Sequence, residues 1–263
     1  MAEFDAIDAT EGELLRPDYN VAPTDRVHVV RRSRRAADAA AEAGAVRSAN
    51  LQPGRVVTVA RWGLVPSWAE GPSVGSRMLN ARAETLIEKP AFRAAFARRR
   101  CLIPADGWFE WTPRENAPGK QPYFMTPAGG GRLAFAGLWE VWGSGDELLY
   151  TCTVVTTEAV GALCAVHDRM PLVLPPDRWA WWLGEHGEAD VGPVELLAPP
   201  AEELVEALEI RPVGAAVGNV RSEGPELVAR VAAPEIGAGA GRTGLTGVDA
   251  VERIDLEVNP TLF

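Results

Sequence analysis

The sequence predicts an α+β fold built mainly of antiparallel strands. Three observations carry that expectation. The middle of the chain is a series of short apolar or aromatic runs, most of them separated by turns containing Gly, Pro, Asn and Asp. Helical patterns are few and short. No strand–helix–strand period recurs, so a doubly wound parallel sheet is not expected. The chain has 263 residues, 47% hydrophobic and 24% charged, enough for a substantial core and unlike a disordered tail or a fibrous repeat.

The elements follow in order. Met1–Thr10 carries three acidic residues and no base, which is neither a signal nor a transit peptide. Arg16–Thr24 (RPDYNVAPT) is extended or turning, because Pro17 and Pro23 oppose a helix. Val27–Arg31 is β-branched and reads as a strand. Arg32–Asn50 is Ala-rich and is either a helix or a loose surface insertion. Val56–Trp62 returns to strand composition and runs into the turn GLVPSWAEG. Ala83–Arg99 carries apolar residues at helical spacing, interrupted at Pro90.

Further strands are expected at Cys101–Ile103, Gly107–Thr112, Gln121–Met125, Leu133–Val141, Leu148–Thr156 and Pro171–Leu174. Pro176–Leu183 and Ala201–Ala207 read as short helices, and Ile210–Val213 as a last strand. No break before Val213 demands a second domain. The expected organisation is one domain over residues 1–222 and a tail over 223–263. Within the tail Gly237–Gly247 is low in bulky residues, and the amphipathic Val248–Val258 could dock back.

The formal charge is −10, and it is unevenly placed. Residues from Glu185 onward hold 5 basic and 15 acidic side chains, while the earlier part is neutral. Within that neutral part, Arg77–Arg100 has seven basic residues against two acids. It reads either as a solvated helix face or as a local attraction for a polyanion on an acidic body. No apolar run approaches the ~20 residues of a membrane span. Three cysteines without CxxC spacing and three histidines disfavour a disulfide scaffold and a metal centre. No metal or cofactor is expected, and the cytoplasm is the expected compartment.

In SRMLNARAET, Asn80, Arg82 and Glu84 alternate, so an extended backbone would put all three on one face. Asn offers a donor and an acceptor and Arg a fork that fits phosphate, so the face is a structural polar network or a substrate contact. Glu110 lies in GWFEW. Aromatic neighbours could desolvate it and raise its pKa for acid–base work, or alternation could leave it facing water. His167, in AVHDRMP, titrates near neutrality and is a candidate proton shuttle, or else a structural histidine. Trp62 and Trp68 complete a mixture of rings and Arg that suits single-stranded nucleic acid.

Five ordered blocks resemble one family. They are YNVAPT at Tyr19–Thr24, RWGLVPSWA at Arg61–Ala69, NARAET at Asn80–Thr85, CLIPADGWFEW at Cys101–Trp111 and HDRMPLVL at His167–Leu174. Together they are similar to the SRAP (SOS-response-associated peptidase) family, over roughly Phe4–Val220. The resemblance implies a partly barrel-like antiparallel domain acting as a monomer on abasic sites in single-stranded DNA, in the bacterial cytoplasm and nucleoid-associated when at work. It implies autopeptidase and lyase-like activity, and a thiazolidine crosslink made by an N-terminal cysteine. By position it assigns catalysis to Asn80, Glu110 and His167, and DNA contacts to Arg82, Arg169, Trp62 and Trp68.

One departure bears on that chemistry. The sequence begins Met-Ala-Glu-Phe, whereas the family begins Met-Cys-Gly-Arg-Phe and runs further before its Tyr-Asn-x-Ala-Pro-Thr block. The expectation is a start assigned too late. The alternative is a relative without the nucleophile, keeping DNA binding and weak lyase action.

Overall fold

The computed structural model describes residues 2–13, 15–33, 54–114, 118–186, 194–232 and 259–261. The strands are β1 (Ile7–Asp8), β2 (Arg26–Arg32), β3 (Arg55–Trp62), β4 (Asn80–Arg82), β5 (Arg100–Ala105), β6 (Gly107–Pro113), β7 (Lys120–Pro127), β8 (Leu133–Trp142), β9 (Leu149–Glu158), β10 (Arg169–Pro171), β11 (Leu208–Pro212) and β12 (Asn259–Thr261). The helices are α1 (Pro90–Arg98), α2 (Pro176–Leu183) and α3 (Glu202–Glu206). Both α1 and α2 start on a proline, whose fixed φ suits the first turn, and α2 stops at Gly184 with φ of 71°. The expected helix over Ala83–Arg99 is split, because Pro90 starts α1 afresh and Ala83–Thr85 makes only a 3-10 turn.

The fold is α+β with a barrel-like sheet. Antiparallel pairs join β3 to β2, β2 to β5, β5 to β8 and β8 to β9. A short parallel seam, Arg61 with Thr151 and Trp62 with Cys152, joins β3 to β9 and closes the five-stranded ring. Alternation then sorts the side chains. Val27, Val29, Ala60, Trp62, Cys101, Ile103, Phe135, Cys152 and Val154 share the inner cluster. Gly137 belongs to that layer too, since a Cβ there would lie 2.8 Å from the Ile103 side chain and 3.0 Å from the Cys101 sulfur.

The outward positions Val30, Leu102, Ala134, Ala136, Leu138 and Val155 form a second cluster with Phe92, Ala95 and Phe96 of α1 and Trp179, Trp182 and Leu183 of α2. The alanines leave room for the helices. Both indoles that α2 buries in this layer are satisfied: Trp182 donates to the Cys101 carbonyl at 2.8 Å and Trp179 to that of Leu174 at 2.9 Å. Two of the seven basic residues in the run Arg77–Arg100 are structural here. Arg99 pairs with Glu140, and Arg100 caps carbonyls of Phe96 and Trp182.

A smaller sheet, ordered β11–β7–β6–β12, packs Phe109, Phe124, Val213 and Val217 on one face. Residues 225–232 lie against β11, where Val231 donates to the Pro212 carbonyl at 2.9 Å. The Ala-rich stretch from residue 34, the Gly-rich Gly237–Gly247 and the amphipathic Val248–Val258 lie outside the described residues.

Asp106 joins β5 to β6. Burial pushes its carboxyl up to about 6, Arg132 at 3.7 Å lowers it and Glu3 raises it. The folded value lies above the ordinary 3.8, so the native state holds this proton more tightly. Its contribution favours folding at low pH and declines as pH rises through the window from 3.8 to about 6. Asp106→Asn is therefore expected to be more stable than the parent at pH 7 and equal to it below that window. Urea unfolding at the two pH values checks this.

Candidate active site

The site is organised around one carbonyl. Leu79, just before β4, accepts from the Val154 amide at 3.0 Å, the Thr153 hydroxyl at 2.8 Å and the Trp62 indole at 2.9 Å. Three donors on one oxygen pin the chain where it presents Asn80. The preceding loop is equally constrained. Gly63 has φ of 123°, and a Cβ on it would sit 2.6 Å from the Gly75 carbonyl oxygen. The Leu64 amide bonds the Met78 carbonyl at 3.0 Å, and the Trp142 indole holds the Ala69 carbonyl at 2.8 Å. Between these anchors Trp68 stands 65% exposed.

From there β4 runs parallel to β9, with Asn80 beside Val154 and Arg82 beside Thr156. Asn80 is half-buried. Its Oδ1 is shut away without a hydrogen-bond partner among the described residues, a cost of about 1–3 kcal/mol that a ligand donor would relieve. Arg82 is exposed at the strand end. The strand stops there, and the turn Ala83–Thr85 takes Glu84 off the expected common face. Glu84 instead receives both Nη atoms of Arg169, at 2.9 and 3.0 Å. Burial raises the Glu84 carboxyl, but the Arg169 bond and charge, with help from Arg82, leave it below its usual range.

On the other side of β9, β10 pairs Pro171 with Thr156 and Arg169 with Glu158. Arg169 also donates to the Thr156 carbonyl at 2.8 Å and its hydroxyl at 3.2 Å. Thr156 thus lies between β4 and β10, and Arg169 ties both to it. The expected phosphate contact at Arg169 meets a guanidinium already engaged by Glu84 and Thr156. Its backbone amide donates to His167 Nδ1 at 2.9 Å, so in the neutral ring the proton sits on Nε2. Asp168 Oδ1 lies 3.2 Å from the same Nδ1.

Glu110 is on β6 opposite Tyr123 and is 2% exposed, so it does not face water. Alternation puts it with Trp108 and Tyr123 on the inner face, away from Phe109 and Trp111. Burial raises the Tyr123 phenol, which stays protonated at neutral pH. Two residues on, the Thr112 hydroxyl bonds the Val166 carbonyl at 3.3 Å, linking β6 to the segment that carries His167. Asn80, Arg82, His167 and Arg169 are gathered about the end of β9, and Glu110 lies on the strand that Thr112 ties to the His167 segment.

Trp62 takes a different place from the expected DNA contact. It is 0% exposed inside the barrel, so its ring offers no face to a base and its role is to hold Leu79. Of the two tryptophans, Trp68 is the exposed one. Sequence reasoning passed over Thr112 and Thr156, which sit in strand runs where threonine is ordinary. Glu84 was noticed, but its partner was not. Among the described residues no group of three His, Cys, Asp or Glu is placed to hold a metal ion, and no helix is long and apolar enough to cross a membrane.

Comparisons with known proteins agree with the five blocks. Residues 1–220 match the model of the family described as SOS response associated peptidase (SRAP). The abasic site processing protein YoqW of Bacillus subtilis is 34% identical over 219 residues, 83% of this chain and 88% of that protein. The abasic site processing protein HMCES of Xenopus tropicalis is 33% identical over 201 residues, 67% of this chain and 58% of that protein. A crystal structure of a Bacteroides thetaiotaomicron protein has the same fold, with TM-score 0.58 and 23% identity, over 82% of this chain and 100% of that chain. A phage-related protein of Bordetella bronchiseptica superposes with TM-score 0.54 and 28% identity, over 76% of this chain and 84% of that one. The chain belongs to the SRAP family.

Proposed function

We propose that this protein binds abasic sites in single-stranded DNA and moves protons on the exposed deoxyribose. The observation that carries the reading is the gathering of Asn80, Arg82 and His167 around Thr156, with Glu110 buried on the strand that Thr112 ties to the His167 segment. Relatives named as abasic site processing proteins support it. An abasic sugar is a hemiacetal in equilibrium with an aldehyde. Opening it removes the proton of the anomeric hydroxyl and puts a proton on the ring oxygen.

Glu110 is the base for the first transfer, and His167 donates from Nε2 in the second. Asn80 turns its open acceptor to a sugar hydroxyl, Arg82 neutralises a flanking phosphate and Trp68 stacks on a neighbouring base. Once the aldehyde is free, loss of a proton from the adjacent carbon forms a C=C bond and expels the 3′ phosphate, which is strand scission. The same Glu110 can take that proton.

Capture of the aldehyde as a thiazolidine is a separate matter. It needs an amine and a thiol on one residue, so that imine formation, with loss of water, is followed by attack of the neighbouring sulfur. Cys101, Cys152 and Cys164 carry no free amine, and burial raises the thiols of the first two. None of these three thiols is expected to form a heat-stable crosslink with an abasic site. A single-stranded oligonucleotide with one abasic site, run on a denaturing gel after incubation, tests both points. Scission should fall about 10²- to 10⁴-fold in Glu110→Gln and His167→Ala, while affinity holds within about threefold. Equal scission in parent and variants would overturn the proton-transfer reading and leave a DNA-binding module. A heat-stable shifted band would overturn the crosslink expectation.

A further inference from the structure

The barrel end at the start of β9 carries a stack of three side chains that the proposed chemistry does not use. Arg31 is the last inward-facing residue of β2. Its guanidinium lies over the Trp139 ring of β8, 4.8 Å from the centroid, and Trp139 stacks on Tyr150 of β9 at 6.5 Å with 25° between planes. The order is cation, ring, ring, and the outermost ring is open, with Tyr150 42% exposed.

Arg31 differs from its neighbours at this end. Arg55 pairs with Glu185 and Arg99 with Glu140, while Arg32 and Arg100 cap the carbonyls of Gly184 and Trp182. For Arg31 no carboxylate pairs among the described residues, and its hydrogen bond there is to the Thr58 hydroxyl at 3.3 Å. Guanidinium has five N–H donors, so most are unused among the described residues, and a cation drawn out of water gains strongly from an anion. Burial lowers its pKa in keeping with that missing partner. A cation at one end of a stack and an open ring at the other suit a stretch of single strand: phosphate on the guanidinium, a neighbouring base on the phenol.

We propose that Arg31, Trp139 and Tyr150 form a second subsite for single-stranded DNA, holding a nucleotide away from the lesion. This rests on the reading of the site given above. Tyr150 and Thr156 are both on β9, about 20 Å apart at ~3.3 Å per residue. At the ~3.4 Å per nucleotide of a stacked strand, about six nucleotides separate the two positions. An oligonucleotide centred on the site must therefore be longer than a few residues to reach the stack.

Fluorescence anisotropy with labelled oligothymidylates of 4 and 12 nucleotides, each with and without a central abasic analogue, tests this on the full chain. Tyr150→Ala and Arg31→Gln should weaken 12-mer binding by about 5- to 50-fold and leave the 4-mer within about twofold. Tyr150→Phe should keep the parent affinity. Arg31→Gln should also reduce the slope of log affinity against log salt by about 0.7. Twelve-mer affinities within about twofold of the parent in both variants, or equal losses at both lengths, would overturn the subsite. If Arg31→Gln does not fold, the exposed position of Tyr150 lets its two variants decide. Failure of the abasic-site reading looks different: the parent would show no preference for the lesion, while the length-dependent loss remained.

Discussion

Trp62→Ala is expected to destabilise the protein by about 3–5 kcal/mol, close to the whole stability of many domains. Trp62 is fully buried on the short seam that closes the barrel, so its truncation leaves a cavity in the core. The loss has a second part. The indole is one of three donors on the Leu79 carbonyl, so its removal loosens the residue that presents Asn80. Trp62→Phe separates the two effects. It keeps most of the ring volume and should cost about 1–2 kcal/mol, mainly the lost hydrogen bond and a small void. Chemical unfolding of both variants, set beside abasic-DNA affinity at a temperature where each is folded, makes the measurement. An Ala variant as stable as the parent would contradict the placement of this ring.

The second large effect is expected at Arg169. Its side chain is 15% exposed and binds both oxygens of Glu84 and both oxygens of Thr156. Arg169→Met should cost about 1–3 kcal/mol, more than a surface ion pair because Thr156 loses its donors in a place water reaches poorly. It should also weaken abasic-DNA binding by about tenfold, since Glu84 is left as an uncompensated negative charge next to Arg82. The double variant Arg169→Met with Glu84→Gln should recover most of that affinity but not the stability. Were Arg169 instead a phosphate ligand, Glu84→Gln alone would tighten binding by freeing it, and the double variant would recover nothing. The cycle therefore decides between a positioning arginine and a DNA contact.

Much of the architecture was readable because the strands obey local rules. Val27–Arg31, Val56–Trp62 and Leu133–Val141 are β-branched or aromatic runs bounded by turn residues, and the structure extends each by one residue or two. Pro176–Leu183 was bounded by a proline at its start and Gly184 at its end, and α2 has those limits. The seam between β3 and β9 was not readable. It is parallel, joins segments distant in sequence and leaves no turn signature to mark it. β4 is three residues long, too short for periodicity to announce.

The site divides in the same way. Asn80, Glu110 and His167 stood out by residue type and context. The pairing of Glu84 with Arg169 depends on where a 3-10 turn carries one side chain, and no spacing reveals that. Trp62 misled for an instructive reason: a tryptophan at the end of a strand, next to a turn, can belong to a surface or to a core, and only the closed barrel shows which.

The seam that closes the barrel also bears on how the protein acquires its structure. Arg61 and Trp62 meet Thr151 and Cys152 only after the intervening chain has been laid down and brought back, so these contacts carry a large loop-closure entropy. The hairpins β6–β7 and β8–β9 can form from neighbouring residues. The β3–β9 pairing belongs to the slow, non-local class that limits folding rates in closed sheets. Leu79 is fixed by Trp62 from one side of that seam and by Thr153 from the other. A chain still emerging from the ribosome would thus hold its hairpins early and have no organised site until β9 had been synthesised and closed the ring.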